Sequence, residues 1–359
     1  MNVDRLACSV LAGFVLLLTS FAGPSLSQGF AGLGQGGDDF TKVTPGSTLE
    51  FPRDFGAHPD YRIEWWYLTA NLEDAQGTSY GVQWTLFRQA LQPGPERKGW
   101  ANQHVWMGHA AVTSKDRHLF AETFARGGIG QAGVNTEPFR AWIDSWSLRS
   151  PEPWLDVSRL EVTASGPDFR YQLRLRSNAQ PVLHGDQGYS QKSDRGQASY
   201  YFSQPFLEVD GVITLGDVEV KVSGRAWMDR EWSSQPLAPD QKGWDWFSLH
   251  LDTGEKLMLF RIRHQDGTDY RSGTWISSDG QTQAIERDDI LIKPVAHTTV
   301  AERTIPTRWS LQIKSRQLYL ESAPLNPQSW MGTSVSYWEG PIRLSGSHLG
   351  RGYLEMTGY

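Results

Sequence analysis

The sequence predicts an all-β protein built from antiparallel hairpins. From Phe51 onward, short runs of alternating apolar and polar residues follow one another. Turn signals such as Gly166-Pro-Asp168 and Asp252-Thr-Gly254 separate these runs. Few stretches show the apolar period of a helix. Repeated hairpins with little helix are typical of a meander, a barrel or a sandwich.

Pairs of these runs read as consecutive hairpins. In each pair the two runs are joined by a short turn that contains both Gly and Asp, which are residues that favour tight turns. The predicted hairpins pair 65–72 with 79–91, 160–165 with 169–176, 209–215 with 218–227, 247–251 with 256–263, and 270–277 with 281–287.

The length of 359 residues favours two domains. The segment Ser233-Ser-Gln-Pro-Leu-Ala-Pro239 has two prolines and no strand period, which is typical of a linker. We therefore expect an N-terminal domain over 51–234, with a large insertion around 180–204, and a C-terminal domain over 235–359. The second piece has about the length of one small barrel domain.

The start of the chain has the pattern of a secretory signal peptide over 1–27. Arg5 supplies a positive charge, Val10 to Leu18 form a short apolar run, and Ser25-Leu-Ser27 fits a cleavage site before Gln28. The run is too short to remain as a stable membrane span. We expect a periplasmic or secreted protein that begins with a flexible leader over 28–50. Cleavage would remove Cys8, the one cysteine of the sequence, so no disulfide is expected.

Composition excludes one class of partner and leaves two readings of the aromatic residues open. The net charge of −6, without a lysine or arginine cluster, does not fit a nucleic-acid-binding protein. The 16 tryptophans, 15 phenylalanines and 12 tyrosines could fill cores or line an apolar ligand site.

Two motifs that could indicate a catalytic serine or a metal site are better explained as parts of a hairpin and a strand. Gly77-Thr-Ser-Tyr-Gly81 matches the pattern of an esterase nucleophile elbow, but a turn precedes the serine and a strand follows it. His104 and His109 are five residues apart on a predicted strand, so they face opposite sides and do not favour a shared metal. We expect no metal and no other cofactor.

Clusters of aromatic and acidic residues carry the functional prediction. Trp227, Asp229 and Glu231 share one side of a predicted strand. Burial against indole disfavours ionisation of a carboxyl group, so Asp229 is the candidate acid. Either arginines such as Arg88 and Arg230 pair with these carboxylates, or the clusters line a cavity. In the second case, the candidate ligand contacts are Glu64, Trp65, Trp66, Tyr67, Trp142, Trp227, Glu231, Trp232, Trp244 and Trp246.

Long aromatic-rich sequence motifs from residue 51 to the end of the chain are typical of one protein family. They run from Phe51-Pro-Arg-Asp-Phe-Gly-Ala-His58 through Trp227-Met-Asp-Arg-Glu-Trp232 to Gly352-Tyr-Leu-Glu-Met-Thr-Gly-Tyr359. In these motifs the sequence resembles the lipocalin-like family of carotenoid 1,2-hydratases and attachment-locus proteins (CrtC/AttH). Further motifs that carry the resemblance are Glu64-Trp-Trp-Tyr67, Pro138-Phe-Arg-Ala-Trp142, Gly188-Tyr-Ser190, Trp244-Asp-Trp-Phe247 and Tyr337-Trp-Glu-Gly340.

The resemblance implies two lipocalin-like antiparallel β-barrel domains and places Asp229 at the family's acidic position. The motif around Asp229 is closer to the secreted branch described as predicted hydrolases, which is commonly linked to ABC transporters. The first interpretation is a periplasmic protein that binds a hydrophobic lipid or isoprenoid, with transporter components as partners. The alternatives are acid-catalysed hydration of an isoprenoid double bond, as in carotenoid 1,2-hydratase, and a secreted hydrolase.

Overall fold

The protein is seen in a computed structural model that describes residue 37 and residues 39–151, 157–235 and 237–359. The expected signal peptide and Cys8 lie outside the described residues. Among those residues no helix combines the length and the hydropathy needed to cross a membrane.

The first sheet has 13 strands, and nearly all of its pairs are hairpin or meander neighbours. Its order is β4-β3-β2-β1-β13-β12-β9-β8-β7-β6-β5, with β10 and β11 both on β12. The strands are β1 (Ile63–Glu73), β2 (Ser79–Ala90), β3 (His104–Thr113), β4 (His118–Arg126), β5 (Ala132–Thr136), β6 (Phe139–Ile143), β7 (Trp146–Arg149), β8 (Arg159–Gly166), β9 (Phe169–Arg176), β10 (Val182–Leu183), β11 (Tyr189–Gln191), β12 (Ala198–Leu215) and β13 (Val218–Ser233).

The second sheet has 10 strands and begins after residue 240. Its order is β17-β16-β15-β14-β23-β22-β20-β19-β18, with β21 on β22. The strands are β14 (Gln241–Leu251), β15 (Lys256–His264), β16 (Asp269–Ile276), β17 (Thr282–Ile285), β18 (Ile290–Val300), β19 (Arg303–Ile313), β20 (Leu318–Pro324), β21 (Trp330–Met331), β22 (Tyr337–Gly346) and β23 (Gly350–Met356). Short 3₁₀ turns cover Arg53–Phe55, Gly99–Ala101, Arg287–Asp289 and Lys314–Arg316.

The predicted all-β fold with two barrel-like units is confirmed. One unit is nearly closed and the other is a half-barrel. Each predicted hairpin is present as an antiparallel pair: β1 with β2, β8 with β9, β12 with β13, β14 with β15, and β16 with β17. The segment 180–204 forms β10, β11 and the first part of β12.

The alternation of side chains on β1 separates a barrel core from an interface. Trp66 and Leu68 point into the core of the first barrel. Trp65 and Tyr67 point the other way and pack in a cluster with Trp246 of the second sheet. The second barrel has its own core, which includes residues such as Phe247, Leu249, Trp309 and Trp338. The outward faces of the two barrels therefore meet each other.

At Gly81 the backbone of the first barrel is in close contact with side chains of the second barrel. A Cβ atom added there would lie 2.5 Å from Cγ of Pro341 and 2.9 Å from the hydroxyl of Tyr353, both on the second sheet. The Pro341 ring cannot rotate away, so a side chain at Gly81 would force the barrels apart.

We expect Gly81→Val to lower the free energy of unfolding by about 1–3 kcal/mol, because overpacking costs that much in a well-packed contact. Chemical denaturation measures the effect. Thr78→Val is the control, since Thr78 is exposed in the turn of the same hairpin and such changes stay within about 0.5 kcal/mol. Equal stability of the two variants would contradict the role of Gly81.

Candidate active site

A cavity of about 300 Å³ lies between the two barrels rather than inside either one. We call it the interbarrel cavity. The first sheet with its loops contributes Ile63, Trp65, Tyr67, Phe87, Gln89, Val105, Met107, His109, Phe124, Lys192, Tyr201, Asp229 and Glu231. The segment after β13 and the second sheet with its loops contribute Leu237, Trp244, Trp246, Phe260, Ile262, Ser334, Val335, Tyr337, Glu355 and Thr357.

Strand register arranges the side chains on this side of β12, β13 and β1 to β4 in two adjacent rows. One row crosses six neighbouring strands as Ser203, Asp229, Tyr67, Thr85, His109 and Glu122, each opposite the next. We call it the polar row. Asp229, Tyr67 and His109 of this row line the cavity. The adjacent row on the same face is Tyr201, Glu231, Trp65, Phe87, Met107 and Phe124.

The cavity is buried at the polar row and open toward solvent at the other end. Asp229, Tyr67 and His109 are buried. Phe124 is 49% exposed and Val105 is 36% exposed, so they form part of the rim. The cavity therefore extends from these apolar side chains to the carboxyl group of Asp229.

Asp229 is held by three hydrogen-bond donors. The Tyr201 hydroxyl donates to Oδ2 at 2.8 Å, Trp227 Nε1 donates to Oδ1 at 2.6 Å, and the Ser203 hydroxyl also donates to Oδ1. Trp246 Nε1 in turn donates to the Tyr201 oxygen at 3.0 Å. The second barrel therefore helps to orient the acid of the first.

Burial raises the pKa of Asp229 from its ordinary value of 3.8 to about 7. The hydrogen bonds from Ser203, Trp227 and Tyr201 lower the pKa, and the nearby charge of Glu231 raises it, but the loss of water dominates. No ion pair joins Asp229 to a lysine or an arginine within the described ranges. A carboxyl group in this state can donate a proton near neutral pH.

Glu355 is a second acid of the interbarrel cavity. It lies opposite Trp246 on the second sheet, and Trp244 Nε1 donates to its Oε1 at 2.5 Å. Burial raises its pKa to about 7, the bond from Trp244 lowers it, and the charges of Asp229 and Glu231 raise it further. A second buried carboxyl group with a raised pKa therefore lines the same cavity as Asp229.

Glu231 differs from these two acids because it has a cationic partner. Lys192 Nζ lies 2.8 Å from its Oε1, and the Ser199 hydroxyl donates to the same oxygen. The lysine also lies over the rings of Tyr201, at 5.0 Å, and Phe260, at 4.4 Å. This arrangement places one ion pair beside Asp229, the carboxyl group whose pKa burial raises.

The structure brings together six of the residues that the sequence singled out. Trp65, Tyr67, Asp229, Glu231, Trp244 and Trp246 line the cavity. Trp227 does not line it but donates to Asp229, and it shares a face of β13 with Asp229 and Glu231 as alternation predicts.

The other four candidate ligand contacts lie away from the cavity. Glu64 and Trp66 are on the opposite face of β1, and Trp232 on the opposite face of β13 stacks on His58 with ring centroids 3.8 Å apart. Trp142 is on β6, where its Nε1 donates to the Gly130 carbonyl. Strand alternation turns the first three inward, and β6 does not contribute to this wall.

Sequence reasoning missed Tyr201, Ser203, Lys192, Tyr337 and Glu355 and considered His109 only as a metal ligand. Tyr337 and Glu355 do occur within the sequence motifs on which the family resemblance rests. The Tyr337 hydroxyl contacts His109 of the other barrel, and Glu355 lines the cavity together with Asp229 and Glu231 of the other barrel. The pattern of either strand alone therefore gives no signal that they face a site. Within the described residues no group of His, Cys, Asp or Glu is arranged to hold a metal ion.

The raised pKa of Asp229 has a consequence for stability. Its folded-state pKa of about 7 exceeds its ordinary value of 3.8. The folded protein therefore binds the proton more tightly than the unfolded chain, and this contribution to the free energy of unfolding falls as pH rises from about 4 to about 7.

We expect the stability of the wild type relative to Asp229→Asn to fall across that interval, since the amide does not titrate. The comparison is with the variant because buried His184 and His250, whose pKa values burial lowers to about 3, act in the opposite direction. Urea denaturation at a series of pH values measures the difference. A difference that stays constant would show that Asp229 ionises normally.

Comparison with known proteins agrees with this fold. The AttH-like family model matches residues 42–359. An AttH protein from Nitrosomonas europaea has a crystal structure with 31% sequence identity and a TM-score of 0.80, covering 89% of this chain and 99% of that one. The search of curated proteins gave no match.

Two more distant structures share the fold. Kievitone hydratase from Nectria haematococca has 15% identity and a TM-score of 0.67, covering 89% of this chain and 95% of that one. A structure of CghA with Sch210972 has 14% identity and a TM-score of 0.53, covering 90% of this chain and 97% of that one.

Proposed function

The chain belongs to the AttH-like family, and from this premise we propose that the interbarrel cavity binds an apolar small molecule and that Asp229 acts on it as a general acid. The observation that carries the proposal is the position of Asp229, a buried carboxyl group that lines an apolar cavity and has no cationic partner among the described residues. A mainly apolar cavity with a few convergent polar groups is the usual form of a small-molecule site.

The reaction that this arrangement supports best is addition of water to a carbon–carbon double bond. The Asp229 proton moves to one alkene carbon, the other carbon becomes a carbocation, and Asp229 becomes a carboxylate. Water then bonds to the carbocation, and its surplus proton moves to the Asp229 carboxylate, so that the acid is regenerated. Aromatic faces such as those of Trp65 and Trp246 stabilise the cation, by about 1–2 kcal/mol per ring.

One fold neighbour and the family resemblance support this chemistry. The distant structure described as a kievitone hydratase shares the two-barrel fold. The family resemblance to carotenoid 1,2-hydratases also puts an acid at Asp229. The apolar rim and the aromatic wall suit an isoprenoid or prenylated substrate.

A carrier without chemistry is the second candidate, because an apolar cavity alone would retain a lipid. A hydrolase is less well supported. His184 Nε2 lies 2.6 Å from the Ser203 hydroxyl, which is a serine–histidine contact. However, neither residue lines the cavity, and Ser203 donates its proton to Asp229. A nucleophile in that position would not reach a ligand.

Native mass spectrometry with lipid extraction tests binding. We expect protein isolated from the periplasm of an expression host to retain an apolar molecule, and Trp65→Ala to lose it. Trp142→Ala is the matched control, since it removes the same type of side chain outside the cavity.

Incubation of the protein with farnesol in H₂¹⁸O then tests for hydration, because hydration adds one labelled water to the product. Absence of any bound or binding apolar molecule would contradict the proposal.

Location and partners extend the proposal. The signal-peptide pattern of residues 1–27 supports export to the periplasm, where ABC transporter components would deliver or remove the ligand. Cell fractionation with peptide mass analysis tests export, with cleavage before Gln28 expected. Affinity purification from the native envelope tests the transporter contact.

A further inference from the structure

A second group of polar side chains reaches the interbarrel cavity at a distance from Asp229. Tyr337 from the second sheet and His109 from the first both line the cavity. His109 Nδ1 lies 3.0 Å from the Tyr337 hydroxyl, and His109 Nε2 lies 3.0 Å from Oε1 of Glu122. The proposed acid chemistry at Asp229 does not use these residues.

The distance between the two groups decides what the second group can do. His109 and Asp229 belong to the polar row and are three strand spacings apart. At about 4.8 Å for each spacing, their Cα atoms are separated by about 14 Å. Water and a proton add to neighbouring carbons, so both groups cannot act on the same double bond. Tyr337 therefore faces a different part of the ligand.

Hydrogen bonds fix the direction in which the Tyr337 hydroxyl points. The Ser334 hydroxyl donates to Glu122 Oε2 at 2.8 Å, and the Ser334 amide donates to both carboxylate oxygens. Burial tends to raise the pKa of Glu122, but the bonds from His109 and Ser334 outweigh burial and lower it. An ionised Glu122 accepts from Nε2–H of His109, so Nδ1 is left to accept from the Tyr337 hydroxyl.

The remaining capacity of Tyr337 is to accept a hydrogen bond. A tyrosine hydroxyl has one donor and two acceptor positions. The donor is directed at His109. The Tyr337 oxygen therefore has acceptor positions to offer to a ligand in the cavity that it lines.

We propose that Tyr337, oriented by His109 and Glu122, is a recognition site for a hydroxyl group of the ligand, which donates its hydrogen bond to the Tyr337 oxygen. The ligand class is then an apolar alcohol or phenol whose hydroxyl lies roughly 10 Å from the bond that Asp229 protonates, given the spacing of the strands. This inference rests on the proposed function, because it assigns a part of the same ligand. Tyr337 and His109 come from different barrels, so the site exists only when the barrels are docked.

Three naphthalene probes test the inference by calorimetry on the full mature chain. 2-Naphthol can donate a hydrogen bond, 2-methoxynaphthalene can only accept one, and 2-methylnaphthalene can do neither. We expect the wild type to bind 2-naphthol about tenfold more tightly than either of the others, which corresponds to one hydrogen bond. Tyr337→Phe should bind all three equally.

Other variants separate recognition from a merely structural role. In His109→Leu the Tyr337 proton is released to face the cavity, so 2-methoxynaphthalene should bind more tightly than it does to the wild type. Tyr171→Phe is the matched control, because this buried tyrosine donates to the Gln83 carbonyl outside the cavity. It should keep the preference for 2-naphthol.

The outcomes distinguish the two proposals. If all three probes bind and the wild type shows no preference, or if Tyr337→Phe keeps the preference, the recognition site is refuted while the apolar cavity stands. If no probe binds to the folded wild type, the proposed function itself fails, and this inference fails with it.

Discussion

Asp229→Asn is expected to reduce turnover of a substrate of the interbarrel cavity by about 10²–10⁴-fold, the usual contribution of a general acid. The amide keeps the shape of the side chain, and its oxygen can still accept from Trp227 and Ser203, but it has no acidic proton to transfer. Ligand retention and folding should therefore survive. Turnover of labelled farnesol and native mass spectrometry of the same preparation measure the two effects.

Asp245→Asn is the matched control for this variant. Asp245 is a buried aspartate of β14 that lies outside the cavity and accepts from the Tyr359 hydroxyl at 2.8 Å, with Arg263 at 3.4 Å. Its replacement should lower stability and leave turnover largely intact. If Asp229→Asn loses stability while turnover is unaffected, Asp229 has a structural role and the mechanism is wrong.

Glu64→Gln is expected to destabilise the fold by about 3–5 kcal/mol, since removing one partner leaves buried charges without compensation. Arg88 Nε donates to Glu64, and Arg230 Nη2 lies 3.0 Å from its other oxygen. All three side chains are fully buried. Burial would raise the pKa of Glu64, but the two arginines and His58 hold it well below its ordinary value. Chemical denaturation at neutral pH measures the loss.

Asp210→Asn provides the contrast for Glu64→Gln. Asp210 pairs with Arg174 and Arg176, whose side chains are 64% and 54% exposed. Exposed ion pairs contribute about 0–1 kcal/mol, so little change is expected. Similar losses for the two variants would contradict the structural role assigned to the buried cluster of Glu64, Arg88 and Arg230.

The two readings that the sequence left open for the aromatic-acidic clusters apply to different residues. Glu64 follows the arginine-pair reading, and Asp229 follows the cavity reading. Both sit beside tryptophans in strands, and the local pattern is the same for each. What separates them is the face of the strand, which depends on where the barrel core lies. On β1 both faces carry large apolar side chains, so periodicity could not assign the inward one.

The hairpins were predictable because each is encoded within about 25 residues. The position of Trp227, Asp229 and Glu231 on one face of their strand was predictable for the same reason, since it follows from strand geometry alone. The cavity was not, because its walls are the outer faces of two barrels whose docking involves residues more than 100 positions apart, such as Tyr67 and Glu339 with a hydrogen bond of 2.5 Å. Glu355 and Tyr337 could be placed in the site only from that docking.

The protonation state of Asp229 is the central claim, and infrared spectroscopy of the folded protein tests it directly. A protonated carboxyl group absorbs as a carboxylic acid, and the band is assigned by its loss in Asp229→Asn. Glu355→Gln identifies the contribution of the second acid of the cavity, whose pKa burial also raises to about 7. The account predicts that at about pH 6 Asp229 is still mainly protonated, because burial raises its pKa to about 7. A carboxylate at Asp229 that is fully ionised at about pH 5 would contradict it.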